Sequence, residues 1–243
     1  MKNITVTKNR KLIGWLAFIW LSFYSSYSIA NEQASNNANE KLTEIINERW
    51  DYNLKESPLS ATRAGVNDYN HLLKRVSKKD NDKRLAAEIA FLERLNAIDI
   101  ETLTEDNRIN HQLLKWVIEG SISRYQLNLA RIPLNTFSSF FLSVLNMGNG
   151  LVMDNTKDYQ DYIARLNEIP RYFNENIENM RTGIETNFTL PKIVIEGILP
   201  TVKAQIYQDP TQSSLYKPFL RINKSLSATT KAQLRATAKA AIA

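Results

Sequence analysis

Cysteine is absent from the 243 residues of this chain, and glycine and proline are scarce, with seven of each. Without cysteine, the chain can form no disulfide, no thiol nucleophile and no cysteine-bound zinc site, and it has no cysteine for lipid attachment near its N-terminus. So few glycines and prolines leave too few turn positions for an all-β domain. Apolar residues make up 43% of the chain, which is enough for a core in one large or two small domains.

Histidine is almost as rare, since the chain has only His71 and His111. Neither belongs to a His-Glu-x-x-His motif, which would place two imidazoles on one helix face around zinc. The sequence also lacks the Gly-x-Ser-x-Gly motif, a phosphate-binding glycine-rich loop and the dinucleotide-binding fingerprint. We interpret both histidines as surface or boundary residues, and the alternative is a lone ligand or acid/base group. The residues therefore indicate no catalytic, cofactor-binding or metal-binding position in this chain.

The net charge of +6 is concentrated at the N-terminus. Four basic residues precede an apolar run at positions 12–21, and these are Lys2, Lys8, Arg10 and Lys11. Small and polar residues then lead to Ser28-Ile29-Ala30, a pattern typical of a signal-peptidase site. We therefore predict a cleaved signal peptide at residues 1–30. The alternative is an uncleaved membrane anchor, for which ten strongly apolar residues are short.

Removal of residues 1–30 would leave 27 basic and 25 acidic residues. This near balance argues against a nucleic-acid partner, which requires a clustered basic surface. We expect a periplasmic or secreted mature protein with no stable membrane span after signal cleavage. Residues 31–39, NEQASNNAN, are polar and low in complexity, so we predict a flexible spacer there.

Residues 156–199 carry the clearest helical pattern. Apolar and aromatic side chains recur every three or four residues from Tyr159 to Ile184, as on one face of an amphipathic helix. A second apolar segment follows, so the stretch is predicted to form a long helical hairpin. Its predicted boundary residues are an N-cap at Thr156, a break at Pro170, a stop at Gly183 or Asn187 and a first-turn proline at Pro191.

The same spacing predicts three longer helices earlier in the chain, each with charged residues facing outward. Their predicted inward residues are Leu42, Ile45, Ile46, Trp50 and Leu54 in the first, Leu85, Ile89, Leu92 and Leu95 in the second, and Ile109, Leu113, Trp116 and Val117 in the third, with Gly120 as a point of close approach. A short helix is predicted between Pro58 and Gly65, and a final helix is predicted to begin at the cap Ser227.

Two segments between these helices lack a regular pattern. Residues 76–82 and the neighbouring lysines and arginines at 74–79 read as a charged, solvated connector. Residues 133–155 are rich in Phe, Leu and Ser, and they fit either buried loop packing or the apolar wall of a cleft. The predicted fold class is all-α, a multi-helix array in one domain at residues 40–243 with an irregular segment near 133–155.

Glu196 is the one carboxylate inside an apolar run, at residues 193–199. A buried carboxylate needs a cationic partner or has a raised pKa, and such groups are enriched at functional sites. The alternatives are an interior ion pair with an arginine, or a side chain turned to solvent beside Gly197. The tyrosines of the hairpin are interpreted as packing residues, with a stacking platform as the alternative.

Three stretches resemble the N-terminal half of the bacterial domain-of-unknown-function 885 family: WDYNLKESPLSATRAGVNDY at residues 50–69, LTEDNRINHQLL at residues 103–114, and residues 158–199. The third is the most specific, through DYIARLNEIPRYFNENIENMRTGI and LPKIVIEGIL. The segment Pro133-Leu134-Asn135 is also similar to the family pattern. The resemblance covers residues 40–243 and implies a largely helical, secreted or lipid-anchored protein.

Members of this family are regarded as zinc metallopeptidases of the gluzincin type. Their zinc-binding His-Glu-x-x-His helix and downstream glutamate lie in a C-terminal half that has no counterpart before Ala243. The family's Asp-His pair is also not reproduced, because Gly65 is followed by Val66-Asn67-Asp68. The resemblance therefore implies no zinc ligand in this chain, and zinc is expected only with the missing C-terminal half.

Two functions follow as hypotheses. In the first, the chain is the N-terminal, cleft-forming scaffold of a periplasmic zinc metallopeptidase. It is then incomplete at its C-terminal end and inactive alone, and the substrate of the whole protein is a peptide. The second is a non-catalytic helical module that binds a peptide or a partner. Its predicted groove is lined by Phe137, Phe140, Phe141 and Leu145.

Overall fold

The computed structural model describes residues 9–135, 138–149 and 151–243, with side chains from residue 33 onward. The helices are α1 Asn9–Glu56, α2 Pro58–Arg63, α3 Lys78–Asn96, α4 Glu105–Gln126, α5 Phe140–Leu145, α6 Thr156–Asn167, α7 Ile169–Glu185, α8 Lys192–Lys203, α9 Lys217–Leu220 and α10 Ala228–Ile242. Within these described ranges there is no β-strand, only an isolated antiparallel bridge between Leu134 and Ser139. The predicted all-α fold class is confirmed.

The helices form two compact units. The first takes in the chain up to Glu48 together with Ala90–Glu119, and the second comprises Arg49–Ile89 and Gly120–Ala243. In the part of the chain that the structure describes, no helix combines the length and the apolar character needed to cross a membrane.

Asn39 connects two segments of the first unit. Its Oδ1 accepts hydrogen bonds from Thr104 N at 3.3 Å and Asn107 Nδ2 at 2.7 Å, while its Nδ2 donates to Ser35 O at 2.7 Å. The predicted flexible spacer at residues 31–39 lies within α1 in the structure. The difference has a tertiary cause, because polar side chains that suit a linker also bond to the start of α4.

The buried face of α4 is not the face predicted from the sequence. Ile109, Leu113 and Trp116 are 61%, 57% and 72% exposed, whereas His111 and Ile118 are buried. The prediction was wrong because α4 carries apolar residues on both sides. The weaker stripe, which includes a histidine, is buried and hydrogen-bonded. Gly120, predicted as a point of close approach, has open space where a Cβ would lie.

The main core lies in the second unit, where α6 contacts α7 and α10. Phe219 lies at its centre, with ring centroids 5.9 Å from those of both Tyr159 and Tyr162. The Tyr162 hydroxyl donates to Leu215 O at 3.1 Å, so a polar tip is satisfied inside an apolar cluster. The packing interpretation of these two tyrosines is confirmed. The fully enclosed members of the core include Tyr162, Leu166, Phe219, Val144 and Ala238.

The segment predicted as a helical hairpin forms three helices, α6, α7 and α8, and α8 has no buried residue. The break near Pro170 follows the sequence. Pro170 lies in the first turn of α7, after a break at Glu168. The cap of α6 is Asn155 and not Thr156, because the Asn155 and Asp158 side chains form a reciprocal capping box. After α7 ends at Glu185, Asn187 adopts a left-handed conformation with φ 54°, as predicted for a stop.

The irregular segment contains α5 and is packed into the second unit. Phe141, Val144 and Met147 are buried, and the ring centroid of Phe140 lies 5.0 Å from that of Phe173. These contacts support the packing interpretation of residues 133–155 over the cleft wall.

Candidate functional site

Seven charged or phenolic side chains come together in the second unit, and we call this group the polar cluster. Its members come from α1, the segment before α3, α3 itself and the last turn of α4. They are Arg49, Tyr52, Glu56, Lys74, Arg84, Glu88 and Tyr125.

Two ion pairs join α1 to α3 within the polar cluster. The Arg49 guanidinium donates to both carboxylate oxygens of Glu88, with Nε–Oε2 at 3.0 Å and Nη2–Oε1 at 3.1 Å, and both residues are buried. Arg84 Nε donates to Glu56 Oε2 at 2.7 Å. The three buried charges, Arg49, Glu88 and Arg84, therefore each have a hydrogen-bonded partner of opposite sign, as buried charges require, and Glu56 is partly exposed.

The predicted inward faces of α1 and α3 are confirmed at Leu42, Ile45, Leu54 and Leu95, which are buried. The prediction was wrong at Trp50 and Ile89, beside which charged residues take the buried positions. Arg49 is buried while the neighbouring Trp50 is 56% exposed, and Arg84 and Glu88 are buried while Ile89 is 38% exposed. The sequence carries a weak signal for this arrangement. Arg84 and Glu88 lie four residues apart on α3, and Arg49 and Glu56 lie seven residues apart on α1. An isolated helix gives no reason to turn such charges inward, because the partner lies on another helix.

Arg84 also fixes the segment before α3. Its Nη1 donates to Asn81 Oδ1 at 3.0 Å, and its Nη2 donates to the carbonyl oxygen of Arg75. The guanidinium therefore uses all three of its nitrogen atoms, which suits the planar, multidentate geometry of arginine.

Lys74 is the unusual member of the polar cluster. Burial lowers the pKa of its amine from 10.5 to about 8, with a further lowering by the nearby charges of Arg84 and Arg124 that Glu56 only partly offsets. An amine in this state is partly neutral at mildly alkaline pH. It can then accept a proton or act as a nucleophile, which an ordinary surface lysine does rarely.

The two phenols of the polar cluster are stabilised in their neutral form. Burial raises the pKa of Tyr52 to about 12, with a further rise from the Glu56 carboxylate. Burial also raises the pKa of Tyr125, against the opposing effect of Arg84. Both phenols therefore serve as hydrogen-bonding groups at neutral pH and not as bases.

Arg165 was not singled out by sequence reasoning, yet it is fully buried in α6. Its Nη2 donates to Thr62 Oγ1 and to Tyr69 O, both at 2.9 Å, which fastens the end of α2 and the turn after it. Its Nε and Nη1 have no hydrogen-bond partner among the described residues. Burial lowers the pKa of this guanidinium to about 10.

Residues of α7 fasten the segment that the sequence predicted to be a solvated connector. Arg171 Nη2 donates to Leu73 O at 3.1 Å, and Glu175 Oε2 accepts from Val76 N at 2.6 Å. Asn179 Nδ2 donates to Val76 O at 2.7 Å. This backbone has polar partners on α7, and residues 78–82 form the start of α3, so the prediction of a solvated connector at residues 76–82 was wrong.

The structure does not bring the other sequence candidates together. His71 is exposed, as interpreted, but His111 is buried, with Nε2 2.9 Å from Leu95 O. Since a carbonyl oxygen only accepts, Nε2 carries the proton. Glu196 is turned to solvent and lies 3.4 Å from Lys192 Nζ, which is the solvent alternative considered for it. Within the described ranges, no three His, Asp or Glu side chains are grouped so as to hold a metal ion.

The groove predicted for a peptide or partner is not a feature of the described residues. Phe137 lies outside them, Phe141 is buried, and Phe140 and Leu145 are only partly exposed. The polar cluster is the candidate site, and it consists of two ion pairs that join α1 to α3 together with Lys74, whose pKa is lowered by burial.

Residues 58–243 match the family described as bacterial protein of unknown function, DUF885. A search of curated proteins found no match. Among solved structures, the chain is similar to a protein described as the "putative lipoprotein from Colwellia psychrerythraea", with 15% identity and a TM-score of 0.67. The match covers 86% of this chain and 38% of that chain, so this chain spans well under half the length of its structural neighbour.

Proposed function

The chain belongs to the bacterial DUF885 family, and from this premise we propose that it is the helical, cleft-forming scaffold of a longer secreted zinc metallopeptidase. In this proposal the zinc ligands and the catalytic glutamate lie in the part of the family protein outside these 243 residues. The observation that carries the proposal is the difference in length between the two proteins. The fold that covers 86% of this chain makes up only 38% of the Colwellia chain.

The interior of the second unit suits a scaffold. Two of its buried arginines form ion pairs that join α1 to α3, Arg49 with Glu88 and Arg84 with Glu56. Such pairs make the helices that they join depend on each other, because loss of one partner leaves a buried charge without its counter-charge. The described residues do not fit a zinc site, so no step of peptide hydrolysis is assigned to them. They would position the catalytic part and line the substrate's approach.

The proposal includes an extracytoplasmic location. A basic segment, an apolar run and a small-x-small tripeptide at residues 28–30 form the pattern of an export signal, so we propose cleavage after residue 30 and a mature helical domain at residues 40–243. The description of the Colwellia protein as a lipoprotein supports the same side of the membrane.

Zinc content and peptide hydrolysis test the proposal. We expect the full-length Colwellia protein to bind one zinc ion per chain and to hydrolyse a peptide library in a chelator-sensitive manner. The present chain, exported and purified, should do neither. A full-length relative without zinc would contradict the metallopeptidase, and chelator-sensitive hydrolysis by the present chain would contradict the scaffold.

A further inference from the structure

Helix α8 is apolar yet has no buried residue. Ile195, Leu199 and Val202 are 43%, 46% and 43% exposed, and Ile206, just beyond the helix, is 82% exposed. Folded proteins rarely leave contiguous apolar surface of this kind open unless it is an interaction site. The sequence predicted the helix but gave no reason for this exposure.

Three of the exposed apolar residues of α8 share one face of the helix, which we call the seam. Ile195, Leu199 and Val202 lie at positions i, i+4 and i+7, so at about 100° per residue they point within about 60° of one another. This is the spacing at which one helix packs its ridge against another. Ile193 is 75% exposed as well, but it lies on the opposite side of α8.

We propose that this seam, Ile195, Leu199 and Val202 with Ile206, is the surface on which the rest of the longer family protein docks, through an apolar helix face. The inference rests on the proposed scaffold function and names its partner. The length of the Colwellia protein supports it, because 38% coverage leaves most of that chain available to cover the matched fold. Burial of the seam would remove apolar surface from water, which is the main favourable term in such associations.

A membrane surface is the competing occupant, and the features of α8 favour a helix. Helices that lie on membranes have a broad apolar face and many Lys or Arg residues on the other face. Helix α8 has only two lysines, and one of them, Lys192, lies 3.4 Å from the carboxylate of Glu196. The low positive charge of α8 therefore favours a protein partner.

Amide hydrogen exchange tests the docking surface. In the purified chain, α8 should exchange at least about tenfold faster than α6, because open helices without tertiary contacts lose protection first. In the full-length Colwellia protein, the helix that superposes on α8 should be as protected as the one that superposes on α6. Equal protection of α8 and α6 in the present chain, or an unprotected helix in the full-length relative, would overturn the proposal.

Substitutions supply a matched control. The double variant Ile195→Ser/Leu199→Ser should reduce binding of the apolar dye bis-ANS to the chain. The control Ile193→Ser, on the opposite side of α8, should reduce dye binding less than the double variant does. Neither variant should lower the melting temperature, and a fall for the double variant would show that the seam is already packed.

Vesicle binding tests the membrane alternative. If the chain binds phosphatidylglycerol vesicles and the double variant does not, the docking surface is overturned in favour of a membrane. Zinc measured on the same full-length sample separates a failure of the metallopeptidase from a failure of the docking surface.

Discussion

Arg49 on α1 and Glu88 on α3 form a buried, bidentate ion pair, with donor–acceptor distances of 3.0 and 3.1 Å. Next to it on α1, Trp50 remains 56% exposed. The protein thus buries a charge and exposes an indole at adjacent positions. Desolvation makes this arrangement costly unless the pair stays intact.

Removing one partner of that pair should destabilise the second unit strongly. For Arg49→Met we expect the free energy of unfolding to fall by about 3–5 kcal/mol, because Glu88 is left as a buried charge without its partner. Urea unfolding at pH 7 measures the change. The double variant Arg49→Met/Glu88→Met should recover most of it. The exposed pair Arg94–Glu48 is the control, and Arg94→Met should have no measurable effect.

Lys74 should make stability depend on pH in the alkaline range. Its pKa is about 8 in the folded chain against 10.5 when exposed, so between these values the unfolded chain binds more protons there. Its contribution to the free energy of unfolding therefore rises with pH between about 8 and 10.5. At pH 7 the buried charge is a cost, and Lys74→Met should stabilise the protein by about 1–3 kcal/mol.

The difference in the free energy of unfolding between Lys74→Met and wild type, measured as a function of pH, separates the titration of this lysine from that of the tyrosines. The gain from Lys74→Met should shrink as pH is raised from 7.5 to 10, while the exposed control Lys79→Met should behave as wild type throughout. A gain that stays constant over that range would mean that Lys74 titrates like a surface lysine.

The cap of α6 can be distinguished from its neighbour by substitution. Asn155→Ala removes the side chain that accepts from Asp158 N at 3.2 Å and should cost about 1 kcal/mol of stability. Thr156→Ala, at the position that the sequence suggested, should change stability by less than half as much. Thermal unfolding of the two variants decides between them, and a larger loss for Thr156→Ala would contradict the capping box.

Two helical glycines should respond to alanine in opposite directions. At Gly183 a Cβ would lie 2.8 Å from Phe188 O and 3.1 Å from Arg131 O, both backbone atoms that cannot move aside easily. Gly183→Ala should therefore lower the free energy of unfolding by about 1–3 kcal/mol. At Gly120 the space is open, and Gly120→Ala should raise it by up to about 1 kcal/mol. Chemical unfolding curves give both signs, and two changes of the same sign would be inconsistent with this packing.

The sequence alone determined several helix breaks and caps, because those features are local, although it missed the helical course of residues 31–39 and the start of α3 at Lys78. Pro170 splits the predicted first helix into α6 and α7 through its missing N–H, and Ser227 caps α10 with its side chain accepting from Thr230 N. The family resemblance was likewise visible in short stretches of residues, and the match over residues 58–243 confirmed it.

Only the tertiary structure decided which face of each helix is buried. On α4, both faces are apolar enough to be the inner one. On α3, Arg84 and Glu88 turn inward because they form ion pairs with Glu56 and Arg49 on α1. The free energy of such a choice lies in pairs of residues distant in sequence, so no periodicity within one helix can reveal it. The low pKa of Lys74 has the same origin, since it results from burial and from charged neighbours on three helices, α1, α3 and α4.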